Sequence, residues 1–144
     1  MMVEDLYTAF IAAWNKRDAE ALAELFMLDG DVVGFDGSQY TGRGSILEEM
    51  KKIFAAHPTA PYTGKQTGVT TVTTDVAIVR AIAGMIPPGE TAFEPKLHAI
   101  HRLTAVFRGG DWRIALLHTT PAQYHDRPDE VAKHTAALEA AAAS

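Results

Sequence analysis

Apolar side chains follow the 3.6-residue helical period near the start of the chain and a two-residue period in its second half. Val3, Leu6, Tyr7, Phe10, Ile11 and Trp14 mark one face of a first helix, which Asn15-Lys16-Arg17 breaks. Asp18 is placed to cap a second helix carrying Leu22, Leu25 and Phe26, and Asp29-Gly30-Asp31 ends it. Residues 32–35 read as a short strand, Asp36-Gly37 as a turn, and residues 39–41 as the return. Gly42-Arg43-Gly44-Ser45 opens a third helix with Ile46, Leu47, Met50, Ile53 and Phe54 along one face, stopped by Pro58 and Pro61.

From Tyr62 onward, threonine and valine dominate, and β-branched side chains suit a pleated sheet. Strands are expected over residues 62–74, 76–86, 97–108 and 111–120, with a loop over 87–95 and a Gly109-Gly110 hairpin turn. After Pro121 the chain is alanine-rich and helix-prone, so a weakly packed, frayed tail is expected over about 124–142. Helices first and strands after give an α+β domain: three N-terminal helices packed on a curved antiparallel sheet. The 144 residues form one domain, with its core over about 3–120. The space between helices and sheet is the natural place for a small organic ligand.

The hairpin sharpens the search for chemistry. A two-residue turn sets Phe107 opposite Trp112, Ala105 opposite Ile114, Leu103 opposite Leu116 and His101 opposite His118. Two imidazoles then meet at the end of an apolar face, where they are candidates for proton transfer near neutral pH. The alternative is a hydrogen-bonded pair that finishes the core. Arg80 interrupts an otherwise apolar run and needs an anion if buried. It is a candidate carboxylate binder; the alternatives are an ion pair to Asp36 or Glu49, or an outward dimer contact. Tyr40 and Trp14 carry polar handles suited to a pocket. Phe35, Phe54 and Leu103 complete the candidate wall, and Asp36 is the candidate acid at its rim.

Composition narrows the field. The chain has no cysteine, which removes thiolate chemistry and disulfides. His98 and His101 lie three apart on a strand and face opposite sides, and no HExxH is present, so no metal site is expected. No nucleotide fingerprint appears, and no cofactor is expected. With a net charge of -5 and no basic cluster, neither nucleic acid nor an anionic membrane is an expected partner. The acidic start, Met1-Met2-Val3-Glu4-Asp5, is unlike a secretion signal, and a cytoplasmic location is the expectation.

Three segments carry a resemblance. They are residues 13–26 (Ala13-Trp14-Asn15-Lys16-Arg17-Asp18 onward), Tyr40-Thr41-Gly42-Arg43-Gly44-Ser45-Ile46, and the hairpin from His101 through Trp112 to Thr120. In order and spacing the chain resembles the cone-shaped nuclear transport factor 2-like superfamily, in its SgcJ/EcaC and SnoaL-like branch. It is also similar to the association domain of calmodulin-dependent kinase II. The resemblance implies a conical fold, an internal pocket and a homodimer built on the sheet. By similarity to the kinase domain it implies an inward-facing Arg80.

The superfamily's fold hosts enzymes and binders alike. Isomerase and cyclase relatives place an acid inside the cone, yet the long strands here carry none there, which leaves His101, His118 or a rim acid such as Asp36 as the base. Three functions compete: a cofactor-independent isomerase, cyclase or dehydratase; a non-catalytic binder of an acidic metabolite; and an assembly module.

Overall fold

The computed structural model describes all 144 residues. Its first helix, α1 (Val3–Asn15), buries Leu6, Tyr7 and Phe10, and the Met2 backbone N–H donates to Asp5 Oδ2 at 2.8 Å. As the sequence suggests, Asp18 caps α2 (Ala19–Glu24), accepting from the Ala21 N–H at 3.0 Å. That helix is shorter than its apolar pattern implies. Phe26 already belongs to β1 (Phe26–Val33), and the apparent stop signal at Asp29-Gly30-Asp31 lies within that strand. A Cβ on Gly30 would sit 3.0 Å from the Ile114 carbonyl oxygen, so glycine permits the close approach of strands there.

Next come β2 (Gln39–Thr41), α3 (Arg43–Ala56), β3 (Tyr62–Thr73), β4 (Val76–Met85), β5 (Ala99–Arg108) and β6 (Asp111–Pro121). The six strands form one sheet in the order β2-β1-β6-β5-β4-β3. All neighbours are antiparallel except β1 and β6, which run parallel, so the expected all-antiparallel sheet is corrected at one seam. α1, α2 and α3 cover one face, where Leu6, Phe10, Leu22, Phe26, Ile46, Val79, Leu103 and Ile114 form the core. No helix is long and apolar enough to cross a membrane.

The tail is the second correction. A last helix, α4 (Pro128–Ala143), packs on β3 and β4 from the opposite side of the sheet and buries His134 and Leu138. Alanine makes the helix slim, and Gly84 makes room beneath it: a Cβ there would strike Leu138. Stacked imidazoles add to the hold. The His98 and His134 rings lie parallel with centroids 4.2 Å apart. His134 Nε2–H donates to the Ala83 carbonyl oxygen at 3.0 Å, so its Nδ1 accepts from the Tyr124 hydroxyl at 2.6 Å. The Thr135 hydroxyl donates to Val131 O, which leaves its oxygen to accept from His98 Nε2–H at 2.7 Å. Burial, then the His134 ring, pushes His98 down to about 4, so both rings are neutral at ordinary pH.

Candidate functional site

The hairpin turn pairs Arg108 with Asp111, Phe107 with Trp112 and Ala105 with Ile114, as the two-residue turn requires. Beyond this the register slips. Thr104 faces Leu116, which leaves Ala115 as an extra residue on β6. The bulge turns every later side chain of β6 to the other face. Leu117 and Thr119 therefore point toward the helices, and His118 points away, exposed and opposite Arg102. The expected His101–His118 pair does not form. His118 lies outside the core, with Thr120 Oγ1 3.4 Å from its Nε2.

Arg80 is corrected by the same geometry. Ala77, Val79, Ala81 and Ala83 are buried on the helix side of β4, so the alternation sends Arg80 outward. There its guanidinium bonds the Thr70 hydroxyl and lies over Gly68. No ion pair to Asp36, Glu49 or any other carboxylate forms. The inward arginine implied by the kinase-domain resemblance is absent from this chain's core.

On the helix side a cavity of about 220 Å³ opens between α1, α2, α3, β1 and β6, with sixteen lining residues, twelve of them hydrophobic. Trp14, Phe35, Asp36 and Tyr40, all anticipated, meet on its wall. Phe10 and Phe26, which the helical period assigns to the core, also line it, as do Tyr62, Ser38, Leu117 and Thr119, which no local sequence signal marks as wall residues. Phe54 and Leu103 lie behind that wall as core: Leu103 has no exposed surface, and Phe54 packs edge-on against Trp14 at 5.4 Å.

His101 also lies behind the wall, beneath Phe10 and Tyr62, whose ring centroids are 5.9 and 5.1 Å from its own. It is 1% exposed, and its Nδ1 lies 2.8 Å from the Tyr7 hydroxyl. With the hydroxyl donating, the imidazole carries its proton on Nε2, which has no partner in the chain. Burial pushes His101 down to about 4, which keeps it neutral. It reads as a core histidine under the cavity floor.

The polar groups of the cavity are few. The Trp14 indole N–H is spent on the Ala60 carbonyl at 3.0 Å. Burial pushes the Tyr62 phenol up to about 12, so it is a neutral hydrogen-bonding group. Asp36 is the single charged residue of the wall and lies exposed at the mouth. The Ser38 backbone N–H donates to its Oδ1 at 2.9 Å and, with the Ser38 side chain, holds the carboxyl below the usual carboxylate range. The site can enclose a flat apolar body and offer it two phenols, two hydroxyls and one carboxylate.

A SnoaL-like domain family model matches residues 3–123. The chain belongs to the SnoaL-like domain family. The matched residues end before α4 (Pro128–Ala143). No curated protein matches this SnoaL-like chain. Among solved structures it is similar to a domain of unknown function with a cystatin-like fold from Nostoc punctiforme (TM-score 0.79, 21% identity, covering 90% of this chain and 80% of that one). It is also similar to a ketosteroid isomerase-like protein from Erwinia carotovora atroseptica (0.66, 18%, 83% and 92%). A third is an NTF2-like protein of unknown function from Shewanella oneidensis (0.66, 15%, 82% and 95%). These likenesses establish the nuclear transport factor 2-like fold.

Proposed function

We propose that this SnoaL-like domain binds a small, largely apolar organic molecule in the cavity between α1–α3 and the sheet. The carrying observation is the wall itself: an apolar enclosure with a few convergent polar groups and one carboxylate at its mouth. The acidic-metabolite version of this reading loses its anchor, because Arg80 lies on the other face. Its test is a tryptophan-fluorescence titration with single-ring aromatic compounds in a Trp112→Phe background, where Trp14 alone reports, with and without Val32→Phe, which fills the cavity from β1. Saturable binding lost in Val32→Phe supports the reading; binding unchanged by the filled cavity refutes it.

A second reading, proton transfer of the isomerase kind, has one observation in its favour. Asp36 is the only carboxylate on the wall, and the Erwinia relative is described as ketosteroid isomerase-like. Held ionised and wet, Asp36 is a weak base until a ligand covers it and removes its water. Exchange of a bound ketone's α-protons into heavy water, abolished by Asp36→Asn with binding retained, is the outcome this reading expects.

A homodimer through the sheet face belongs to the same proposal, supported by the half-buried Ile78, Ile82, Ile100 and Leu116 on the outer side. Sedimentation of Ile82→Glu against wild type tests it: a dimer that becomes monomeric supports it, and a monomeric wild type refutes it.

A further inference from the structure

We infer that the cavity selects a ligand with a protonated nitrogen attached to a compact apolar body, and that Asp36 is its counter-ion. This rests on the cavity's being the ligand site.

Among the sixteen wall residues the only charged side chain is Asp36, and six are aromatic: Phe10, Trp14, Phe26, Phe35, Tyr40 and Tyr62. Aromatic faces attract cations, and the attraction grows as water is excluded. No cation of the chain fills that role. Arg17, at the end of α1, is committed to the Phe54 and His57 carbonyls, and Arg43, at the start of α3, to the Phe26 carbonyl. Neither lines the cavity.

The surroundings favour the same sign. Tyr40 also walls a shallow neighbouring cleft that carries Glu48 and Glu49. The chain's net charge of -5 draws cations toward it at low salt. A carboxylate ligand would meet Asp36 with nothing to offset the repulsion. A neutral ligand would gain the rings and at most a hydrogen bond from a hydroxyl to the carboxylate, without the charge pairing. At about 220 Å³ the cavity is smaller than the ~300–1,000 Å³ of drug-sized sites, which limits the body to about one ring.

The test uses three probes of one shape on the intact protein: 2-phenylethylamine, 2-phenylethanol and 3-phenylpropanoate. The expected order of affinity is amine, alcohol, acid, with the amine favoured over the alcohol by roughly fivefold to tenfold at low salt. Asp36→Asn should bring the amine down to about the alcohol's affinity while moving the alcohol's by much less than it moves the amine's. Equal binding of amine and alcohol to wild type, or a preference that survives Asp36→Asn, overturns this inference while leaving the cavity a ligand site. Binding of none of the three, or binding untouched by Val32→Phe, overturns the ligand site itself.

Discussion

On the helix side of the sheet, Ala81, His101 and Thr119 lie side by side across β4, β5 and β6. One residue further along each strand, on the outer side, lie Arg80, Arg102 and His118. The inner row is buried and leads to an aromatic cavity with a single carboxylate. The outer row sets two guanidiniums and an imidazole between aliphatic neighbours and, at its far end, gives way to a helix held by stacked histidines. Strand alternation alone separates the two environments. A one-residue bulge is therefore enough to move a histidine from one to the other.

The largest expected contrast is in stability. Phe26→Ala, on the inner side and without exposed surface, should cost about 3–5 kcal/mol in urea unfolding. Ile78→Ala, half-buried on the outer side, should cost less than half of that. Equal losses would show that the two faces of the sheet are packed alike.

Acid comes next. His98 and His101 are both neutral in the fold, with values pushed from the ordinary 6.5 down to about 4 by burial. The unfolded chain therefore binds more protons than the fold between these values. Their contribution is complete above about pH 6.5 and is lost as pH falls through 4, with His101 accounting for on the order of 3 kcal/mol. Urea midpoints measured between pH 7 and 4 should fall steadily; a flat profile would show that these imidazoles are not held neutral.

The smallest contrast sharpens the picture at two glycines of β3. A Cβ at Gly64, on the inner side, would lie 2.6 Å from the Tyr7 hydroxyl, which is fixed against His101. Gly64→Ala should cost about 1–3 kcal/mol. At Gly68, on the outer side, the obstacle is the end of the Arg80 side chain, which can swing away. Gly68→Ala should stay within about 0.5 kcal/mol, as read from thermal unfolding.

Much of the fold was legible in the sequence. The helical period from Val3 to Trp14, the cap at Asp18 and the change to period two after Tyr62 all have local causes and appear where expected. Trp14, Phe35, Asp36 and Tyr40, the pocket candidates of the sequence, lie on the cavity wall. What misled was non-local. Nothing in the run from Ile114 to His118 announces that Ala115 is an extra residue, because the bulge depends on how β6 meets both β5 and β1. Arg80 stood out by its chemistry, but the buried alanines beside it, Ala77, Ala81 and Ala83, carried the stronger signal of which side faces in. Tyr62 reads locally as the first residue of a strand, and only its place at a helix-covered end of the sheet makes its phenol part of the wall. Alanines in the tail looked like weak packing, whereas small side chains let α4 lie close over Gly84.

Whether the inner face or the arginine row takes the ligand is read by amide chemical-shift mapping during titration with 2-phenylethylamine. Shifts concentrated at Gly34, Asp36, Tyr40, Tyr62 and Thr119 are the expected result; shifts concentrated at Arg80, Arg102 and His118, with the cavity residues unmoved, would contradict it.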